Sequence, residues 1–478
     1  MLMKNLIVIF LSLIPSTFII AQQWINYQYK YDSLLNVPYG SAVDFNGDSK
    51  TLTMDIYQPI CSANENPSKR PLLLWIHGGA FLAGSKDDQT IQILCKNFAK
   101  RGYVTATINY RLGFVSDDRA WNCAYPNYNC VFATDSTEWA RAYYRAIQDA
   151  KGAIRYFVNR HEQVNVDIDN IFVAGESAGA FVALGAGLMD MESERPSQTF
   201  AQPVTPKPNA NSFSCIYNSG KTFSNPIQRP DLGTIEGSIE PTTLNFTIKG
   251  IGNMYGAMLG DLLKSTPLGK KKPVIYSFHQ PCDLVVPIDS SFVYSGLSWC
   301  FTNGYNCFGI TNNQIKLYGA RAFSQWNTKN NYGFTLKNEF TTINFPYSFI
   351  FGERSCLDQV QNPCHAYDNF GLREKNLAQF FASQISNLKT CSTSTSTYDI
   401  EPQVTTYPNP VYDYINISHN FNKNDAQYKI YDIMGRLVMT GDLPESLQID
   451  ISILNTGVYF LQINDLFSDR LKLKIVKI

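Results

Sequence analysis

The chain has no net charge and few histidines, and both facts narrow the chemistry open to it. Its 40 basic residues balance 40 acidic ones over 478 residues, so no overall field draws the protein to nucleic acid or to an anionic membrane. Only 17% of the residues are charged and 44% are apolar, which allows one large core and a second, smaller one. With only five histidines present, a histidine-dependent site can be located by elimination.

Beyond the N-terminus, no segment is long and apolar enough to span a bilayer. Residues 1–21 contain Lys4, an apolar stretch at Leu6–Ile20 that Pro15 interrupts, and Ala21 before polar glutamines. This pattern is typical of a cleavable signal peptide. A membrane anchor is the alternative, and the short, broken stretch disfavours it. We therefore expect export through the periplasm, to the medium or the cell surface.

Eleven cysteines in an exported chain indicate disulfides, because an oxidising compartment preserves them. The odd number leaves at least one cysteine unpaired. Two short, turn-rich segments, NCAYPNYNC and CFTNGYNC, favour the local pairs Cys123 with Cys130 and Cys300 with Cys307. The alternative for some cysteines, notably Cys95 in a helical stretch, is a buried free thiol.

Short apolar runs alternate with helical patterns over residues 22–390, which predicts parallel strands joined by helices. The predicted strands are Leu52–Tyr57, Pro71–Ile76, Tyr103–Asn109, Ile171–Ala174, Ser214–Asn218, Pro273–Phe278 and Gln314–Tyr318. The predicted helices are Thr90–Arg101, Trp139–Asn159, Ala178–Met189 and Glu374–Leu388. This is an α/β domain with a doubly wound, mostly parallel sheet.

The composition changes after residue 390. Residues 391–403, CSTSTSTYDIEPQ, are rich in Ser and Thr without apolar periodicity, which predicts a flexible linker. Residues 404–478 contain regular short strand patterns and no helical ones. We therefore expect a small all-β sandwich at the C-terminus.

The stretch VAGESAGAF places Ser177 between two glycines. A Gly-x-Ser-x-Gly match alone decides little, but this one follows a predicted strand and precedes a predicted helix, as a nucleophile elbow does. Upstream, HGGAF closes the strand PLLLWI, where glycines let backbone N–H groups approach a ligand. Gly78 and Gly79, with the N–H of Ala178, are the candidates for an oxyanion hole; an ordinary glycine turn is the alternative for HGGA.

An acid and a histidine should follow the serine in that order. The loop HQPCDLVVP after a predicted strand contains Asp283, and Asp289 is its nearest competitor. Four histidines lie elsewhere, in HGGA, before the nucleophile strand, before the acid and in the C-terminal module: His77, His161, His279 and His419. Elimination leaves His365, just before the closing helix, as the candidate base.

Several of these motifs together resemble α/β-hydrolases of the carboxylesterase and secreted bacterial esterase type, over roughly residues 40–390: HGGAF, GYVTATINYRLGF, VDIDNIFVAGESAGA and HQPCDLVVP. The resemblance implies carboxylic ester hydrolysis through Ser177, Asp283 and His365, without a cofactor or a metal. The Glu-Asp-Cys-Leu stretch of type B carboxylesterases is missing, which favours a compact secreted esterase. The segment from Asp289 to Pro363 is longer than the minimal fold needs, so we expect it to cap the site.

The C-terminal module has a resemblance of its own. The segments YPNPVYDYINI, YKIYDIMGRLV, LNTGVYFLQI and LKLKIVKI are similar to the sorting domain of the bacterial type IX secretion system. The resemblance implies that this machinery is a partner, and that the tail is removed or used for surface attachment. The alternative is a carbohydrate-binding sandwich, which the absence of Trp from residues 404–478 disfavours.

The positions of two further cysteines suggest a link within the site. Cys282 directly precedes Asp283, and Cys364 directly precedes His365. Contact between the acid and the base would bring the two cysteines near bridging distance. The competing pair is Cys356 with Cys364.

The substrate is less defined than the reaction. Expected substrates are small soluble esters, or acetyl and feruloyl groups on plant polysaccharides. A serine peptidase on the same fold is one alternative, although no propeller-like repeats precede the domain. A non-catalytic adhesion protein with the same fold is another, and the presence of every catalytic residue type disfavours it.

Overall fold

A computed structural model describes most of the chain after the N-terminal segment. The described residues are 23–61, 69–114, 136–203, 228–260, 262, 272–283, 285–292, 315–341, 364–386, 388, 404–419, 427–433, 436–444, 446–465 and 468–477. The predicted signal peptide (1–21), the predicted linker (391–403) and the predicted strand Ser214–Asn218 lie outside these residues.

Eleven strands are described between residues 31 and 339. They are β1 (Tyr31–Val43), β2 (Ser49–Pro59), β3 (Arg70–Ile76), β4 (Val104–Ile108), β5 (Val166–Glu176), β6 (Ile248–Met254), β7 (Ala257–Leu259), β8 (Val274–Phe278), β9 (Ser290–Phe292), β10 (Lys316–Gly319) and β11 (Leu336–Glu339). Eight of them form one sheet in the order β1-β2-β4-β3-β5-β6-β8-β11. The pairs β1/β2 and β2/β4 are antiparallel and the other five are parallel, which confirms the prediction of a doubly wound, mostly parallel sheet.

Five α-helices are described before the C-terminal module: α1 (Gln89–Lys100), α2 (Ser136–Asn159), α3 (Ala178–Leu188), α4 (Ala320–Asn330) and α5 (Phe370–Ala382). Side chains define where two of them begin. The carboxylate of Asp88 accepts the N–H of Ile91 at the start of α1, and the side chain of Asn369 accepts the N–H of Leu372 at the start of α5. Both satisfy backbone donors that a helix end leaves free.

The sheet is covered on both faces, and β3 shows how. Its seven residues are all buried, as expected for a parallel strand between two helical layers. Leu72 and Leu74 pack in the same core as residues of α2 and α3. Leu73 and Trp75 pack in a second core with residues of α1 and α5. Neighbouring β3 side chains therefore enter opposite cores, because the strand alternates its faces.

The chain order of the parallel strands reverses on either side of β3. In the sheet, β3 lies between β4 and β5. The connection from β3 therefore runs to one side, to β4, and the connection from β5 runs to the other side, to β6. Ligands of doubly wound sheets bind at the carboxyl edge beside such a reversal. HGGAF follows β3 there, and Ser177 follows β5.

The segment that we expected to cap the site builds part of the scaffold instead. Of Asp289–Pro363, residues 315–341 form β10, α4 and β11. β11 pairs in parallel with β8 at the edge of the main sheet, so the cap prediction is wrong for this part. The predicted strand Gln314–Tyr318 corresponds to β10, which belongs to a separate sheet of order β7-β10-β9. Residues 293–314 and 342–363 lie outside the described residues.

The C-terminal module has seven described strands: β12 (Val404–Tyr407), β13 (Tyr414–His419), β14 (Gln427–Asp432), β15 (Leu437–Asp442), β16 (Gln448–Asp450), β17 (Gly457–Asp465) and β18 (Ser468–Lys477). They form two antiparallel sheets, β12-β13-β16 and β15-β14-β17-β18. Ile415, Ile430 and Leu461 belong to one buried core shared by the two sheets. This confirms the predicted small all-β module. Within the described part of the chain, no helix has the length and apolar character needed to cross a membrane.

Candidate active site

Ser177 lies at the sharp turn between β5 and α3. Its backbone has a φ of 52° and a ψ of −124°, a positive φ that non-glycine residues rarely adopt. Such a turn is the geometry of a nucleophile elbow, because it lifts the side chain out of the strand. The hydroxyl therefore stands at the carboxyl edge of the sheet instead of joining a core.

The two glycines that flank the serine permit a backbone crossing without side chains. A Cβ atom added at Gly175 would lie 2.3 Å from the carbonyl oxygen of Gly179, and one added at Gly179 would lie 2.1 Å from the carbonyl oxygen of Ile76. Both distances are far below van der Waals contact. Glycine at these positions is a steric requirement of the turn.

A line of hydrogen bonds joins the three residues that the sequence singled out. His365 Nε2 lies 2.8 Å from Ser177 Oγ, and His365 Nδ1 lies 2.8 Å from Asp283 Oδ2. Because the carboxylate only accepts, Nδ1 carries the proton that it receives, and Nε2 is free to accept the serine hydroxyl proton. The side chain of His365 is 17% exposed whereas that of Asp283 is fully buried, so of the two the histidine is the one that solvent can reach.

Asp283 is held in place by backbone and side-chain donors. Its Oδ1 accepts the N–H groups of Val285 and Val286 at 2.9 and 3.0 Å. Burial alone would raise the pKa of this carboxyl, but the charge of His365 and hydrogen bonds from His279 and His365 outweigh that effect and lower the pKa to about 2. The acid is therefore ionised at neutral pH.

His279 is a contact that sequence reasoning missed. It is fully buried, and its Nε2 lies 3.0 Å from the carbonyl oxygen of Val286 and 3.3 Å from Asp283 Oδ2. Since both neighbours are acceptors, Nε2 carries the hydrogen. By chain order His279 only precedes the acid loop; its spacing of four from Asp283 was the available signal.

Asp289, the competing acid, lies in a different environment. Its Oδ1 is 2.7 Å from Arg321 Nε, and the two side chains form an ion pair. The hydrogen-bonded carboxylate of His365 is that of Asp283.

The glycine-rich loop after β3 lies against the serine. A Cβ atom on Gly78 would be 3.1 Å from Ser177 Cβ, so the bare backbone of Gly78 approaches the hydroxyl closely. Ala178 begins α3 directly after the serine. Gly79 lies one residue further along in a turn with a φ of 108°, and its carbonyl oxygen accepts the N–H of Leu82. Gly78 and Ala178 are thus beside the serine, and Gly79 shapes the loop.

His77 supports that loop and is buried away from the proton-transfer line. Its ring stacks on Tyr110 with centroids 4.4 Å apart, and its Nδ1 lies 2.7 Å from the carbonyl oxygen of Gly78. Tyr110 donates its hydroxyl to the carbonyl oxygen of His77 at 3.1 Å. Burial lowers the pKa of His77 to about 4, so this ring is neutral and structural at physiological pH.

Tyr255 and Glu176 form a second support beside the base. Tyr255 follows β6 with a φ of 44°, and its ring meets His365 edge to face at 5.0 Å. Its hydroxyl donates to Glu176 Oε2 at 2.9 Å. Burial and the nearby charge of Asp88 raise the pKa of Glu176 to about 8. No sequence motif singles out Tyr255, because the residue becomes a neighbour of His365 only through folding.

A disulfide joins Cys282 and Cys364, with Cα atoms 5.5 Å apart. The bridge links the residues directly before Asp283 and His365. Cys95 is a buried free thiol, and burial raises its pKa, which fits the alternative considered for it. The other candidate cysteines lie outside the described residues: Cys123, Cys130, Cys300, Cys307 and Cys356.

Comparisons with known families match two separate parts of the chain. Residues 54–125 and 124–215 match the family model described as BD-FAE. Residues 405–477 match the family model described as the secretion system C-terminal sorting domain. The first match contains HGGAF and Ser177, and the second spans almost all of the C-terminal module.

Curated relatives are esterases that share a limited region. Gut esterase 1 of Caenorhabditis elegans is 28% identical over 129 residues, which is 27% of this chain and 19% of that protein. Gut esterase 1 of Caenorhabditis briggsae is 27% identical over 129 residues, with the same coverage. The chain thus matches about a fifth of the length of these relatives.

Solved structures similar to this chain include two esterases. A truncated carbohydrate esterase from gut microbiota has a TM-score of 0.39 and 15% identity, over 75% of this chain and 97% of that one. Esterase 2 of Thermogutta terrifontis, phosphoramylated by tabun, has a TM-score of 0.38 and 17% identity, over 76% of this chain and 97% of that one. The strand order and the two family matches indicate an esterase-like α/β-hydrolase domain followed by a secretion sorting domain.

Proposed function

We propose that this protein is an exported serine esterase that hydrolyses carboxylic esters through Ser177, His365 and Asp283. The observation that carries the proposal is the line of hydrogen bonds from Ser177 Oγ through His365 to Asp283 Oδ2, 2.8 Å at each step. The match to the BD-FAE family model and the similarity to Gut esterase 1 support ester hydrolysis as the reaction.

In the first half of the proposed reaction, Ser177 attacks the ester carbonyl. His365 Nε2 takes the hydroxyl proton as the new bond to the carbonyl carbon forms. The positive charge on the imidazole is then balanced by Asp283, which is ionised and in contact with Nδ1. The backbone N–H groups of Gly78, Gly79 and Ala178 are the proposed donors to the oxyanion of the tetrahedral intermediate.

That intermediate then collapses: the bond between the carbonyl carbon and the alcohol oxygen breaks, His365 gives its proton to the leaving alcohol, and an acyl group stays on Ser177. The second half of the reaction releases the acid. A water molecule then attacks the acyl carbon while His365 takes a proton from that water. Collapse of the second tetrahedral intermediate breaks the bond to Ser177 Oγ, which recovers its proton from His365.

We propose acetyl or feruloyl groups on plant polysaccharides as the substrate, and small soluble esters as the alternative. The test is a panel of acetylated xylan, methyl ferulate, short-chain and long-chain p-nitrophenyl esters and a peptide anilide, assayed on the secreted protein and on Ser177→Ala. Release of acetate or ferulate by the wild type alone supports the proposal. Hydrolysis of only the anilide would make the protein a peptidase. Failure of a fluorophosphonate probe to label Ser177 would favour the non-catalytic adhesion protein.

The sorting-domain match over residues 405–477 indicates export. We propose the type IX secretion machinery as the partner, with the tail removed or used for attachment at the cell surface. Deleting residues 404–478 should leave the esterase inside the cell envelope in a host that has this machinery. Mass spectrometry of the exported protein would show whether the tail is cleaved.

A further inference from the structure

A cavity lies apart from the proposed nucleophile. It has a volume of about 530 Å³ and lies between α2, the end of the β1–β2 hairpin and residues 228–239. The described residues around it do not include Ser177, Asp283 or His365. Its walls combine polar and apolar side chains, and they contain four arginines: Arg111, Arg141, Arg145 and Arg229.

The acidic side chains in the same walls already have cationic partners. The three acidic wall residues pair as follows: Asp44 with Lys50 at 3.5 Å, Glu138 with Arg229 at 2.6 Å, and Asp231 with Arg195 at 2.5 Å. The charge of Arg111 is also neutralised, because its guanidinium makes several hydrogen bonds to Asp149 beneath the cavity.

Of the four arginines in the walls, Arg141 and Arg145 have no acidic partner among the described residues. Among the described residues, neither has a carboxylate within ion-pair distance, and each is only 2% exposed. Arg141 donates to three backbone carbonyl oxygens. Arg145 donates from Nη2 to the carbonyl oxygen of Gly113 at 3.0 Å, and its buried Nε has no hydrogen-bond partner in the described structure.

This arrangement is electrostatically incomplete. Burial lowers the pKa of Arg145 to about 10; Glu138 acts in the opposite direction, whereas the positive charges of Arg111 and Arg141 reinforce the lowering. A buried charge without a counter-ion is costly, and so is a buried N–H without an acceptor. An anion in the cavity would relieve both costs.

We propose that this cavity binds a small ligand through a carboxylate that pairs with Arg145 and Arg141, and that the ligand is an acidic saccharide. A carboxylate matches the planar fork of donors on a guanidinium. The volume lies in the range typical of sites for small organic ligands and far exceeds that of an inorganic ion. The hydroxyl groups of Ser41, Thr234 and Ser238 in the walls suit a ligand rich in hydroxyls. This site does not depend on the proposed ester hydrolysis.

The test is calorimetric titration of the full chain with glucuronate, with glucose as the neutral match, and with sulfate as an inorganic oxyanion. We expect glucuronate to bind and glucose to bind at least tenfold more weakly. Arg145→Met should weaken glucuronate binding at least tenfold, and Arg145→Lys should retain part of the affinity. Arg436→Met, at an exposed arginine of the C-terminal module, is the matched control and should bind as the wild type does.

Three outcomes would overturn the proposal: equal affinity for glucose and glucuronate, binding of sulfate alone, or unchanged glucuronate affinity in Arg145→Met. If circular dichroism shows that Arg145→Met does not fold, Arg141→Met decides, and unchanged affinity there overturns the proposal. Hydrolysis of a chromogenic ester, measured on the same samples, separates this result from the fate of the proposed function.

Discussion

Cys282 and Cys364 are joined by a disulfide, and each directly precedes a residue of the proposed triad, Asp283 or His365. The acid loop follows β8 and the base loop precedes α5, so these loops come from distant parts of the chain. Their covalent link limits how far the carboxylate and the imidazole can move apart. The bridge is thus placed to hold the distance on which proton transfer depends.

Removing this bridge should lower both stability and turnover. For a separation of 82 residues, the chain-entropy account gives a loss of about 4.5 kcal/mol in the free energy of unfolding for Cys282→Ala with Cys364→Ala. Turnover of a p-nitrophenyl ester, normalised to the fluorophosphonate-reactive fraction, should fall about tenfold or more, because small displacements of catalytic groups are costly. Cys95→Ala removes a buried thiol that is not bridged and should retain turnover. Full turnover in the double variant would contradict the role given to the bridge.

His279 should act on turnover through Asp283. His279→Phe removes the N–H that lies 3.3 Å from the carboxylate while keeping a ring of similar size, and we expect kcat to fall about tenfold with KM nearly unchanged. His279→Gln restores a donor and should recover most of the loss. Steady-state kinetics on a short-chain ester gives kcat and KM for both variants. Equal kcat values for the Phe and Gln variants would indicate that His279 only fills space.

Because Asp283 is ionised in the folded protein, the free energy of unfolding should fall at acid pH. Its pKa is about 2 in the folded protein against an ordinary value of 3.8, so folding favours the deprotonated form. The stabilisation, about 2 kcal/mol, is present above pH 4 and lost as the pH falls from about 4 to about 2. Denaturant unfolding of the wild type and of Asp283→Asn across this range measures it. The stability difference between the two proteins should shrink with acidification, and a constant difference would count against the assignment.

The sequence predicted structural elements correctly where local periodicity and local steric requirements determine them. The strand, the turn at Ser177 and α3 followed from an apolar run, two glycines and a helical pattern. β6 was missed because its sequence, IKGIGNM, contains two glycines and lacks a continuous apolar run. Those glycines are needed for close packing: a Cβ atom at Gly250 would lie 2.8 Å from the ring of Phe172, and one at Gly252 would lie 2.8 Å from Ala174.

For the long-range contacts of the site, the sequence predicted only which residues follow one another along the chain. Chain order and elimination selected Asp283 and His365, and the fold supplies the 2.8 Å distance between them. His279 lies only four residues before the acid in the same loop. The contact of Tyr255 with the base, by contrast, arises from loops that meet at the carboxyl edge of the sheet, and no local pattern encodes it. The same limit explains why the cap prediction is wrong for residues 315–341, since pairing of β11 with β8 depends on a partner far away in sequence.

The central claim is that Ser177 is the nucleophile, and Ser177→Ala tests it most directly. On a chromogenic short-chain ester, turnover should fall by roughly six orders of magnitude, as it does when a triad serine is removed. Circular dichroism should show an unchanged fold, and Ser33→Ala, at an exposed serine of β1, should keep the wild-type rate. Turnover of Ser177→Ala near the wild-type value would contradict the account.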